Sequence, residues 1–313
     1  MMIVERPTSW LKLLFTLHGS TMEFTWRRLV AATLFATLVT FLQERFDLEE
    51  YTLTMAPFTV IGIALSIFLG FRNNAAYDRF WEGRKLWGSL VNTSRSIARM
   101  SFSLLHADTD DPPHDLTKFR EGFVRRTISF VHALRCHLRD ERPDDEVLRY
   151  LSVSEQEAIR ETGHVPVRIL QMLAEDLSYA RQRGWIHELN LPALEGQLVE
   201  LTNILGGCER IKNTPIPFSY TVLLHRIAAF YCFTLPLGLV DTVGWGTPIV
   251  VAMVAHAFLG LDALGDEIEN PFGYHANDLP LSSISRNIEI NLLELLGEKE
   301  LPPPWPPVDG ELH

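Results

Sequence analysis

Four sets of residues have types and spacing that could do chemistry. His132 and Cys136 stand four apart on a segment with helical periodicity, which is metal-ligand spacing; two ligands do not make a site, so coincidence is the better reading. Asp262 and Asp266 stand one turn apart just after an apolar stretch. They read as a proton or metal site, or as solvated or Arg-paired carboxylates at an interface. His225–Arg226 opens another apolar stretch and reads as an anion site, or as a pair that snorkels to headgroups or meets an acid. The fourth set carries no charge. Ile63, Ile67 and Phe71 recur every four residues, and Gly62, Ser66 and Gly70 form a parallel stripe displaced by one residue, or about 100° of helix rotation. Small residues at that spacing let helices approach closely within a membrane. A ring of the large apolar stripe around a common axis would make a dry constriction that gates by dewetting, whereas a lone protomer would turn the same stripe to lipid.

The elements that must position these residues follow from where charge is missing. Leu29–Gln43, Thr52–Phe71, Ile227–Val240 and Thr242–Leu261 contain no Asp, Glu, Lys or Arg. A bilayer core is crossed by roughly 20 apolar residues, which the second and fourth stretches supply alone and the first and third supply with tilt or snorkelling ends. Residues 72–215 reverse the character, holding 20 of the 28 Lys/Arg and 21 of the 39 Asp/Glu. Apolar residues there recur at three- and four-residue spacing, as in Leu170, Leu173, Ala174 and Leu177, with breaks at 110–113, Pro143, 163–166, Gly184 and Gly206–Gly207. About five amphipathic helices in water are expected, and no strands.

The fold class is therefore all-α: a multi-pass membrane protein with four spans and a cytosolic helical bundle. The expected organisation is 1–28 an interfacial segment, 29–71 the first two spans, 72–215 the cytosolic domain, 216–262 the last two spans, and 263–313 a cytosolic helix and Pro-rich tail. Basic residues set the orientation. Arg27–Arg28 precede the first span, Arg72, Arg79, Arg84 and Lys85 follow the second, and Arg226 opens the third, while the 44–50 loop carries one base and four acids. Both termini and the bundle are placed in the cytosol, in a cell (inner) membrane. The run Leu301–Pro307 favours polyproline II, as a loose terminus or as a strap along a neighbouring subunit.

A net charge of −11 argues against a nucleic-acid partner. Cys136, Cys208 and Cys232 are odd in number and lack a Cys-x-x-Cys, so neither a disulfide framework nor a structural zinc finger is expected. Phosphate-binding, nucleophile-elbow and His-Glu-x-x-His motifs are missing, and no enzyme or cofactor is expected.

The segment Phe71-Arg72-Asn73-Asn74-Ala75-Ala76-Tyr77-Asp78-Arg79-Phe80-Trp81 resembles the bacterial branch of the bestrophin family. So do Trp10–Phe15 with His18-Gly19-Ser20, Gly207–Ile211, Thr214–Tyr220 with Leu224-His225-Arg226, Asp266–Gly273, and Asn277–Leu281. The resemblance implies a homopentameric ion channel with a flower-vase pore, whose neck is lined by Ile63, Ile67 and Phe71 and packed through Gly62, Ser66 and Gly70. It places a second constriction in the cytosolic vestibule on Leu189. It also implies membrane lipid and small monovalent ions as partners, chloride by family, with Na+ or K+ as in some bacterial members. The 44–50 loop is net −3, and such a mouth enriches cations. Animal members follow Asn-Pro-Phe-Gly with an acidic run that clasps calcium. Here Tyr274-His275-Ala276-Asn277-Asp278 offers one carboxylate, short of the six to eight oxygens a tight site needs. Two other classes stay open: a membrane-anchored interaction protein, and a proton-coupled transporter using His256 or Asp262.

Overall fold

The computed structural model describes residues 2–3, 9–11, 16–46, 53–107, 113–308 and 310–312. Residues 12–15, the acids Asp47, Glu49 and Glu50 of the 44–50 segment, and 110–112 of the break expected at 110–113 lie outside the described residues. Helix α1 spans Met22–Phe46, α2 Met55–Ser103, α3 Pro113–Leu138, α4 Asp145–Leu148, α5 Val153–Arg160, α6 Val165–Gln182, α7 Leu191–Asn213, α8 Phe218–Val243, α9 Thr247–Glu269 and α10 Leu281–Leu295. The expectation of no strands fails at one place. Met2–Ile3 (β1) pairs antiparallel with Glu311–Leu312 (β2), so the two ends of the chain meet.

Among the described residues, three helical stretches are long and apolar enough to cross a membrane: Met22–Phe46, Met55–Ser103 and Phe218–Glu269. No more than a third of the most apolar window of each is buried in the protomer, and Leu34, Phe230, Ile249 and Met253 point outward. Such exposure is sustainable only against lipid or another protein surface. The third stretch turns back on itself. A 3₁₀ turn at Gly244–Gly246 starts from a positive φ at Gly244, and beyond it Phe258 packs edge-on against Tyr231 while Asp262 reaches His225. Helices α8 and α9 thus form an antiparallel hairpin. Contacts of Gln43 with Asp241 and of Phe35 with Phe233 run α1 parallel to α8. Contacts of Leu53 with Leu237 and of Tyr220 with Phe68 run α2 antiparallel to it.

Two apolar cores result. The upper one joins α1, α2, α8 and α9 through residues such as Ala36, Phe58, Leu69, Tyr231, Leu235 and Val251. The lower, larger one joins the second half of α2 to α3, α6, α7 and α10 through Trp87, Phe123, Leu134, Leu173, Leu201 and Leu292. Helix α2 belongs to both. At 1.5 Å per residue its 49 residues reach roughly 70 Å, and the boundary expected between 71 and 72 falls inside it. The break expected at Gly206–Gly207 does not occur either, because α7 runs straight through it. A side chain at Gly207 would meet Leu86 at 2.9 Å, so this glycine permits close approach of α7 to α2.

In the tail, Trp305 stands 5.4 Å from the Arg286 guanidinium of its own protomer, and the chain then returns to β1.

Candidate pore neck and the charged layer beneath it

The buried positions of α2 in its upper half are Phe58, Gly62, Leu65, Leu69, Arg72 and Ala76, spaced alternately four and three residues apart. That spacing winds one narrow seam along the helix. At about 100° per residue, Ile63, Ile67 and Phe71 point roughly 140–180° away from it. All three are more than half exposed. The stripe therefore faces directly out of the protomer.

The small-residue stripe divides. Gly62 belongs to the seam, and an added side chain would strike the Tyr231 hydroxyl at 2.7 Å. Ser66 is exposed and returns its hydroxyl to the Gly62 carbonyl, 2.7 Å away. Gly70 is exposed and has nothing within 4 Å. Within a protomer these three do not form one packing surface. Ser66 and Gly70 leave a shallow flank between the seam and the large apolar stripe.

One residue beyond the stripe begins a charged layer whose centre, Arg72, sequence reasoning did not identify. Arg72 is 1% exposed. Its Nη1 donates at 2.9 Å to both the backbone oxygen and Oδ1 of Asp262, and its Nη2 donates to Asp266. His225 Nδ1 stands 2.6 Å from the other Asp262 oxygen, and Asn73 donates to the Leu261 carbonyl. Asp262 and Asp266 are thus Arg-paired, and His225 meets an acid. Arg79 is similarly engaged, donating to the carbonyls of Ile211, Thr214 and Glu269. Arg72 and Arg79, counted among the basic residues that follow the second apolar stretch, are both held within the protomer, by α9 and by the C-terminal end of α7. An acidic pair five and nine residues before Pro271 was the available signal, but a guanidinium 190 residues away cannot be assigned to it by spacing.

Leu189 is 82% exposed, on the connection between α6 and α7. That connection is anchored by the buried Trp185, which packs edge-on against Phe119 and Tyr179, and by His106, which donates to the Trp185 carbonyl. A large apolar side chain is held out into solvent from a fixed base.

The His132–Cys136 pair is not a metal site. His132 is fully buried with Nε2 3.1 Å from Glu289 and Nδ1 3.4 Å from Glu146, while Cys136 faces Arg135. These groups belong to an ion-pair network, with Arg135 and Arg286, that ties α3 and α4 to α10. Where the animal calcium clasp would lie, Asn277 donates to the Gly19 carbonyl and to Glu267, and Asp278 accepts the His275 N–H at 2.7 Å. The segment's one carboxylate is thus turned inward.

Burial pushes Asp278 up to about 6 from 3.8, only partly opposed by the His275 hydrogen bond. A raised carboxyl pKa favours the protonated folded state, so this group's contribution is full below pH 3.8 and is lost as pH rises toward 6. At about 1.4 kcal/mol per unit the difference reaches about 3 kcal/mol. The thermal midpoint of Asp278→Asn relative to wild type is expected to climb between pH 4 and 6.5 and level off above. A difference independent of pH across that window refutes the assignment.

Comparison with known proteins fits this geometry. Residues 1–294 match the Bacterial/Fungal Bestrophin protein family. The chain belongs to that family. It is 39% identical over 302 residues to the voltage-dependent anion channel-forming protein YneE of Escherichia coli, covering 96% of each chain. It is 36% identical to a voltage-dependent anion channel-forming protein of Mesorhizobium japonicum, covering 95% of this chain and 93% of that one. Among solved structures, a variant of a bacterial bestrophin homolog from Klebsiella pneumoniae aligns with a TM-score of 0.82 at 34% identity, over 89% of this chain and all of that one. This bestrophin is accordingly a membrane channel protein and not an enzyme.

Proposed function

We propose that this bestrophin is an anion-conducting channel whose pore lies on the axis of a homopentamer in the cell (inner) membrane. The observation that carries the reading is the orientation of α2. Its stripe of Ile63, Ile67 and Phe71 points directly away from the protomer's own seam, and the adjacent Ser66–Gly70 flank is bare enough to receive a neighbour's helix. In this reading α1, upper α2, α8 and α9 cross the bilayer four times. Both termini and the lower bundle are cytosolic, and Leu189 rings a second constriction. The organisation follows the divisions 1–28, 29–71, 72–215, 216–262 and 263–313, with α2 continuous across the second boundary. Anion conduction is supported by the names of the relatives.

The net charge of −3 in the 44–50 loop favours a second reading, in which symmetry multiplies an acidic ring and monovalent cations pass. The transporter alternative loses Asp262, whose carboxylate is held by Arg72 and His225.

Liposomes containing the purified protein, under a KCl gradient, decide the sign. A reversal potential near the chloride equilibrium value is expected; one near the potassium value supports the cation reading. Native mass measurement of the detergent complex is expected to give five copies. A monomer, or vesicles without flux, overturns the proposal in favour of a membrane-anchored interaction protein.

A further inference from the structure

His137, His164 and Glu209 are far apart in sequence and take no part in the pore or in the charged layer beneath it. His137 ends α3, His164 is the N-cap of α6, and Glu209 lies in the last third of α7. The fold brings their ligating atoms within 4.8 Å of one another. His137 Nε2 stands 2.8 Å and His164 Nε2 2.7 Å from the same oxygen of Glu209, and the two rings lie 4.4 Å apart. We propose that these three side chains form a binding site for a transition-metal dication of the zinc type, one per protomer, which fastens α3, α6 and α7 together at one end of the cytosolic bundle.

The donor set is two imidazole nitrogens and one carboxylate oxygen. Imidazole suits zinc, copper and nickel, whereas calcium and magnesium take oxygen shells. Three protein ligands leave a fourth tetrahedral position for water, and all three side chains are about a third exposed, so an ion can enter without unfolding the bundle. One Glu209 oxygen already sits between the two imidazole Nε2 atoms, at 2.8 and 2.7 Å. The neighbouring thiol of Cys208 is buried and is not among the atoms that gather here. Arg210, next to Glu209 on α7, pairs with Glu82, and the Lys212 ammonium is spent on Asp140 and the His137 carbonyl.

Binding exacts a local exchange. Without metal, His164 Nδ1 accepts the Val167 N–H at a long 3.4 Å and Nε2 carries the proton. Metal at Nε2 moves that proton to Nδ1, so a weak cap is traded for coordination bonds of about 2.0–2.2 Å. The contrast with His225, Asp262 and Asp266, which also gather within 4.8 Å, is instructive. There Arg72 occupies both carboxylates and repels a cation.

The test is zinc chloride titrated into the tag-free, detergent-solubilised full-length protein. One equivalent per protomer is expected, with a rise in thermal midpoint, because a ligand bound only to the folded state stabilises it. His137→Ala, His164→Ala and Glu209→Gln are each expected to weaken binding more than about tenfold, the least that loss of even an outer-shell partner costs, and to abolish the midpoint rise. His225→Ala should change neither. Zinc K-edge absorption on the unmutated protein guards against a variant that fails to fold; it should read two histidine nitrogens with oxygen and no sulfur. No saturable binding, binding indifferent to the three substitutions, or a sulfur-containing shell overturns the proposal. None of these outcomes depends on whether the protein conducts ions.

Discussion

Arg72→Met is expected to destabilise the protein by about 3–5 kcal/mol, the range for removing one partner of a buried ion pair. The arginine is fully buried between α2 and α9. Without it Asp262, 1% exposed, retains only His225 as a charged partner. Asp266 is half exposed and can turn to water, so the penalty falls mainly on Asp262. Arg72→Lys should lie between wild type and methionine, because one ammonium cannot span two carboxylates and a carbonyl as a planar fork does. The double variant Arg72→Met/Asp262→Asn should recover much of the loss, since it leaves no unpaired buried charge. The thermal midpoint and the size-exclusion profile of the detergent-extracted protein report all three. A methionine variant that melts with wild type, or a double variant no better than the single one, would show that the layer carries no such energy.

The second large effect concerns conduction. Ile63→Ala, Ile67→Ala and Phe71→Ala together are expected to raise single-channel current at least about tenfold, which corresponds to about 1.4 kcal/mol off the barrier. Truncating three exposed apolar side chains per subunit widens the ring and lowers the cost of wetting it. The control lies on the other flank of the same helix. Ile61 and Phe68 are exposed but point roughly 100–120° away from the centre of the stripe, and Ile61→Ala with Phe68→Ala should leave current unchanged. If the assembled triple variant conducts like wild type, or the flank pair changes current as much, the stripe faces lipid. No such gain in fold stability or loss of it is expected, because none of the three side chains packs inside the protomer.

Much of the architecture was legible because it depends on transfer between solvents. A stretch such as Thr52–Phe71, with no charged side chain, has few places to go in water, and the single Asp241 between the last two stretches lies close to their reversal at Gly244. The stripe of Ile63, Ile67 and Phe71 was visible for the same kind of reason, since four-residue spacing keeps side chains on one face whatever the helix packs against. What spacing could not give was which face is inward. Gly62, Ser66 and Gly70 look equivalent in sequence, yet only Gly62 meets a neighbour, because α8 places Tyr231 there. The Gly206–Gly207 pair reads as a break and is instead a close contact with α2.

The amino-acid order alone thus determined that the chain is helical, that it divides into apolar stretches and a charged bundle, and which family it resembles, because each of these depends on residues near one another along the chain. Only the tertiary structure decided the partners of the charges. Arg72 looked like an interfacial base and became the centre of a buried layer; His132 left Cys136 for Glu289; His137, His164 and Glu209 met across 72 residues. An ionic contact is fixed by distance in space between side-chain ends, and linear spacing constrains that distance only within a turn or two of helix.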